Sequence, residues 1–175
     1  MDHVHLLSGA NGTPRSKIMF IGEAPGRLGA ARTGVPFTAD QSGVRFQRLL
    51  DAAGLRREDM FITNALLCNP LLRGTNRSPR RSEIANCAGW LRAQLDIVTP
   101  RLVVTLGARA LEAVRLVGAH DYELRRDVGK LLPWCGRTLV PLYHPSPRTA
   151  AHRSFAQQME DFRCVGKMVR ADAHC

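Results

Sequence analysis

Short apolar runs alternate along this chain with longer stretches in which apolar residues recur every three or four positions. Residues 17–21, a run of branched and aromatic side chains ended by Gly22, have the pattern of a strand buried on both faces. Residues 59–64, 101–106 and 137–143 repeat that pattern. Between them, residues 44–55 place Phe46, Leu49, Leu50 and Ala53 at helical spacing, with Gly54 as a C-terminal stop. A second helix, capped at Ser82 and closed by Pro100, carries a stripe of Ile84, Cys87, Trp90, Leu91, Leu95 and Val98. A third starts at Gly107 and runs through Val117, and a last one, residues 149–169, turns Phe155, Met159, Phe162 and Val165 inward. Strictly alternating strands and helices predict an α/β fold, a three-layer α/β/α sandwich around a central four-stranded parallel sheet with right-handed crossovers. One domain, 1–175, is expected at this length.

The stretches without periodicity matter as much. Residues 1–16 form a polar start that lies along the surface or adds an edge, and residues 121–136 read as a connection holding one short edge strand. After the first strand, Pro25, Pro36 and the glycines at 22, 26, 29 and 34 exclude regular structure, so Glu23, Arg27, Phe37 and Asp40 sit on a loop. Residues 65–83 form a second long loop. In a parallel sheet all strands end at one edge, where ligands bind in α/β proteins. Gly22-Glu23, Asn64 and His144 stand at three strand ends, so a carboxylate, an amide and an imidazole converge there with Phe37. Singly, a strand-end histidine is more often a structural hydrogen-bonding residue and an asparagine more often a turn former. Convergence carries the inference.

Charge narrows the partner. Twenty-five Lys and Arg against fifteen acids give a net charge of +10, with an isoelectric point near 10.4. The excess of arginine, whose guanidinium fork fits phosphate, favours nucleic acid over the alternative of an arginine-rich compositional bias. No apolar run of bilayer length and no basic leader with an apolar core occurs, so a soluble, cytoplasmic protein with no membrane partner is expected. Five scattered cysteines without a CxxC pair signal neither a disulfide framework nor a zinc knuckle.

The series GEAPG, RTGVPFTAD and QSG, then TNALLCNP, then YHPS, resembles the motifs of the uracil-DNA glycosylase superfamily in order and spacing, over residues 18–162. GEAPG is similar to the iron-sulfur family numbered four, and GAARTGVPFTAD to the fifth family. Together with GEAPGRLGA they resemble a smaller bacterial group lacking the cluster. The resemblance implies a uracil-DNA glycosylase-like fold and excision of uracil from DNA. It assigns catalysis to Asp40, Glu23 and His144, one carboxylate orienting water while the other supports it or reads the base, and Asp40 the favoured base. The imidazole would bond uracil O2 as an oxyanion donor. Asn64 would pair with uracil N3 and O4, Phe37 would stack on the flipped base, and Gly22 and Ala24 would line the base site. Ser146 and Arg148, in a proline-stiffened loop, and Arg153 would contact DNA, with Arg73, Arg77, Arg80, Arg81 and His152 along the track. The bland reading of either carboxylate is a helix or turn cap.

Two departures qualify the resemblance. Iron-sulfur relatives hold their cluster with a CxxC and two later cysteines. Cys68 and Cys87 resemble the later pair, but the CxxC is missing from this sequence, and two thiolates do not satisfy a four-thiolate cluster unless an upstream segment supplies the rest. No metal or other cofactor is expected. Gly26 stands where classical uracil enzymes carry a bulky tyrosine against the thymine methyl, which leaves room for hypoxanthine, xanthine or mismatched uracil as further substrates. The partner expected is uracil-containing DNA and the protein a monomer without lyase chemistry. The alternative is a uracil-DNA binding protein with little or no turnover. A phosphate-cradling role for GEAPGRLG is disfavoured, because its glycine spacing matches neither GxGxxG nor a P-loop.

Overall fold

The computed structural model describes residues 7–172; the first six and last three residues, Cys175 among them, lie outside the described residues. In chain order the elements are β1 (Ile18–Gly22), α1 (Ala30–Thr33), α2 (Gln41–Ala53), β2 (Met60–Asn64), the two-residue strands β3 (Leu71–Leu72) and β4 (Thr75–Asn76), α3 (Arg81–Val98), β5 (Leu102–Leu106), α4 (Ala108–Val117), α5 (Leu124–Asp127), β6 (Leu132–Trp134), β7 (Arg137–Leu142) and α6 (Phe155–Asp172). The central sheet has the order β2-β1-β5-β7-β6. Its first four strands are parallel, in register from Ile18 opposite Met60 and Leu102 to Leu106 opposite Leu142. The expected four-stranded parallel sheet is thus present, and a fifth strand is added to it. The short edge strand read in 121–136 is β6, which pairs antiparallel with β7 because only two residues, Cys135 and Gly136, separate them.

Alternation along the buried strands feeds two cores. Ile18, Phe20, Ile62, Val104 and Val140 face α2 and α6, where Phe20, Phe46 and Phe162 form the aromatic centre with ring centroids 5.5 to 6.1 Å apart. Met19, Ile21, Val103 and Leu139 face α3 and α4. Helices on both faces make the three layers expected.

Several boundaries move for identifiable reasons. The loop after β1 holds one turn of helix, α1, which Gly34 ends at φ 72°. α3 starts at Arg81, with Arg80 as its cap, because the Glu83 carboxylate accepts the Arg80 N–H at 2.8 Å; Ser82 lies inside the first turn. Trp90 is 64% exposed, not inward, since it sits about 120° round the helix from the Ile84, Leu91, Leu95 row. The last helix is split. A 3-10 turn, Pro147–Ala151, precedes α6, and Ser154 begins α6 through a reciprocal pair with Gln157, a capping signal readable in the sequence. Loop 65–83 contains the β3–β4 hairpin. At the start of the described chain, Asn11 is buried and donates to the Ile62 carbonyl at 2.8 Å, covering β2 at the sheet edge without adding a strand.

Candidate active site

The carboxyl ends of β1, β2 and β7 bring the expected groups together. Gly22 and Asn64 are direct partners across β1 and β2. A Cβ at Gly22 would lie 2.4 Å from Asn64 Oδ1 and 2.8 Å from Phe37 Cζ, so the glycine is what allows amide and ring to close on the strand end. The Phe37 ring is 5.6 Å from the His144 imidazole and 4.6 Å from Phe46, which backs it from the core. Asn64 is 5% exposed, and among the described residues its amide has no side-chain hydrogen bond. A nearly buried amide with unspent donors and acceptor, next to a half-buried aromatic ring, is built to pair with a planar polar ligand.

The loop carrying Phe37 is held in a strained conformation. Phe37 and Ala39 have φ of 53° and 60°, which costs about 1 kcal/mol or more each for residues with a Cβ. Helix α2 enforces it. Asp40 caps α2, its Oδ1 accepting the Gly43 N–H at 2.8 Å. A Cβ at Gly43 would come within 2.7 Å of the Phe37 carbonyl, so QSG supplies a helix start that the loop backbone can lean on. Arg57 also donates to the Pro36 carbonyl.

Asp40 thus does perform the capping role that sequence reading weighed against it, but only one oxygen is used. The other, Oδ2, would lie 2.7 Å from a Cβ at Gly26 and 2.5 Å from one at Gly29. The two glycines of GEAPGRLG form a slot for this carboxylate. Gly26 is therefore a requirement of Asp40's position, and a bulky side chain there is incompatible with it. The Asp40 charge also acts on His144, favouring its protonation.

Burial outweighs that attraction and lowers the His144 pKa to about 4. The imidazole is neutral at ordinary pH. Its Nδ1 accepts the Ser146 N–H at 3.1 Å, which assigns the ring proton to Nε2. Thr149, unnoticed in the sequence, staples this loop: its hydroxyl lies 2.7 Å from both the His144 and Ser146 carbonyls. Arg45, also unnoticed, reaches from α2 to donate Nε to the Pro145 carbonyl at 2.8 Å, its guanidinium lying 4.3 Å over the Phe155 ring.

Glu23 sits apart from Asp40 in character. Burial raises its pKa, against the opposing effects of a Ser78 hydrogen bond and the Arg109 charge. Ala24 is half-buried against the core under α3 and α4. Of the expected DNA contacts, Arg148 is exposed on the 3-10 turn. Arg153 instead forms a two-pronged ion pair with Asp161, at 2.9 and 2.5 Å. Arg77 is likewise paired with Glu83, and Arg81 with Glu112.

Comparison with known proteins identifies the family. Residues 10–164 match the model of the uracil DNA glycosylase superfamily. The chain is 36% identical over 132 residues to the type-4 uracil-DNA glycosylase of Thermotoga maritima, covering 75% of this chain and 65% of the relative. It is 31% identical over 162 residues to the type-4 enzyme of Archaeoglobus fulgidus, covering 90% and 79%. It is 33% identical over 178 residues to the type-5 uracil-DNA glycosylase of Pyrobaculum aerophilum, covering 94% and 75%. Against the Thermotoga maritima and Sulfurisphaera tokodaii type-4 enzymes the chain spans slightly less than two thirds of the relative's length, 65% and 62%.

The cluster of the iron-sulfur branch does not fit the donors present. Cys68 and Cys87 are both half-buried, and two thiolates do not make up the four that such a cluster takes. Among the described residues no three Cys, His, Asp or Glu side chains gather to hold a metal ion. On the match over residues 10–164 the chain belongs to the uracil DNA glycosylase superfamily.

Proposed function

We propose that this protein is a monofunctional DNA glycosylase that draws uracil out of DNA and hydrolyses its N-glycosidic bond, leaving an abasic site. The observation that carries the reading is the closure of Asn64 and Phe37 on the side-chain-free Gly22, with the His144 imidazole 5.6 Å from the same Phe37 ring. A flipped uracil stacks on Phe37, Asn64 Oδ1 accepts from uracil N3–H, and Nδ2 donates to O4. Cytosine presents the opposite polarity at both positions and leaves the amide unpaired, which costs roughly 1–3 kcal/mol for each buried group.

As the bond from C1′ to N1 breaks, its electron pair leaves with uracil and negative charge gathers on O2. Neutral His144, proton on Nε2, donates to that oxygen. The sugar gains oxocarbenium character and water adds at C1′, giving its proton to a carboxylate. Asp40 is that base, with Oδ1 anchored on Gly43 and Oδ2 free to orient water; Glu23 supports it. Ser146, Arg148 and Arg153 line the DNA approach, Arg153 through its place beside the loop. We further infer a monomer of one domain, working in the cytoplasm on the chromosome and needing no metal. Among the described residues no helix is long and apolar enough to cross a membrane.

Incubation with single- and double-stranded oligonucleotides carrying uracil, hypoxanthine or xanthine, followed by alkali, tests the reading. Alkali-dependent scission at uracil is expected. Tight retention of uracil DNA with no scission would instead support a binding protein without turnover.

A further inference from the structure

A second basic element stands at the same sheet edge, on the opposite flank from His144. The β3–β4 hairpin turns through Arg73 and Gly74, at φ 49° and 73°, and leaves Leu71 and Leu72 exposed, Leu72 by 59%. Two-residue turns of this kind favour asparagine or aspartate before glycine, so an arginine here is held at a cost in backbone strain. The hairpin is fixed to the loop after β1, where Asn76 Oδ1 accepts the Arg27 N–H at 3.0 Å, and its own base is closed by the Arg77 N–H donating to the Pro70 carbonyl. Between hairpin and α1 opens a cleft of about 490 Å³, lined by Arg27, Arg32, Leu71, Cys68, Arg77 and Glu83 among others, beside rather than over the Phe37 and His144 rings. Glu83 is taken up by Arg77. Among the described residues Arg27 and Arg32 in the cleft and Arg73 in the hairpin turn have no ion pair, so cleft and hairpin carry uncompensated positive charge.

Resting on the glycosylase reading, we propose that this cleft and hairpin grip the DNA backbone on the side of the extruded nucleotide away from the Pro145–Arg148 loop. Arg27, Arg32 and Arg73 bind phosphates, and the exposed leucines cover apolar sugar surface. The two flanks rise from β2 and β7, which β1 and β5 separate. Three strand spacings make roughly 14 Å, a length along which duplex DNA carries roughly eight phosphate charges. The flanks therefore meet different phosphates and fix the register of the strand between them.

The test is the salt dependence of duplex binding, measured by fluorescence anisotropy on undamaged and uracil-containing DNA from about 50 to 200 mM salt. Arg73→Asn is the decisive variant, because asparagine suits the turn better than arginine and the protein should melt no lower than wild type while losing the charge. Its slope of log affinity on log salt should fall by about 1, and that of Arg27→Ala/Arg32→Ala/Arg73→Asn by about 3. KM should rise tenfold or more in the triple variant, with kcat at saturating DNA within about twofold. Arg101→Ala, at the amino ends of the strands, should change neither. Unaltered slopes in variants that still excise uracil overturn the cleft proposal alone. A wild-type protein that leaves uracil in place overturns the glycosylase reading, and its slopes on undamaged duplex still decide whether the cleft binds DNA.

Discussion

Arg45 donates Nε to the Pro145 carbonyl at 2.8 Å across one hundred positions of sequence, joining the helix that Asp40 caps to the loop that carries His144. The guanidinium is held by the Phe155 ring beneath it, while Nη2 is buried without a partner. An unspent buried donor costs roughly 1–3 kcal/mol, a penalty tolerated where position matters more than stability.

Arg45→Ala should therefore lower kcat by one to two orders of magnitude with KM little changed, since a displacement of about 1 Å in a reacting group costs about that much. Arg45→Lys, which cannot stack or fork in the same way, should recover only part of the loss. Steady-state kinetics alongside urea melts check this; unchanged kcat in the alanine variant would reduce Arg45 to packing.

Asp40 caps α2, and the proposed water-activating role separates from that cap by substitution. Asparagine still accepts the Gly43 N–H, so Asp40→Asn should melt close to wild type yet lose several orders of magnitude in excision rate. Asp40→Ala should lose the cap as well, at about 1 kcal/mol. Near-normal turnover in the asparagine variant would transfer the water-activating role to Glu23.

At Gly22 a methyl group meets the ends of two side chains rather than backbone. Gly22→Ala should consequently fold, push Asn64 and Phe37 off their positions, and lose about 100-fold in kcat/KM. Equal kcat/KM would show that amide and ring do not need this approach.

The pH dependence follows from His144 and Glu23. His144 titrates near 4 when folded, against an ordinary value near 6.5. Between those values the unfolded chain binds the extra proton, so stability is complete above about 6.5 and declines as pH falls toward 4, by at most about 3 kcal/mol. His144→Gln should flatten that part of the stability curve in denaturant titrations. Protonation near pH 4 would take away the Nδ1 acceptor of the Ser146 N–H while leaving the Nε2 donor, so activity should not lose the loop's anchor until pH approaches 4. Glu23, raised by burial, protonates earlier in an acid titration than an ordinary glutamate, and Glu23→Gln should remove any acid limb of kcat/KM lying above that range.

The strand-end logic was legible because parallel pairing places Gly22, Asn64 and His144 on one edge whatever the loops do. Short continuous apolar runs alternating with helices of period 3.6 are enough to specify it. What escaped the sequence reading were relations between loops. Nothing local at Gly26 or Gly29 announces that Asp40 lies against both. Thr149 and Arg45 act on carbonyls, and a carbonyl carries no sequence signal. Arg153, expected at the DNA, is paired with Asp161 because helix α6 brings that carboxylate beside it, eight residues on. The β3–β4 hairpin was missed because two-residue strands show no periodicity, although Arg-Gly between Leu-Leu and Thr-Asn marks the turn.

The claim that amide, ring, imidazole and carboxylate act on one extruded base is tested most directly by single-turnover release of free uracil from a duplex with one central uracil, enzyme in excess. Wild-type protein should liberate one equivalent of uracil and leave an otherwise intact strand with an alkali-sensitive abasic site. Uracil still covalently held in the DNA after prolonged incubation, with the protein folded and bound, would contradict the account.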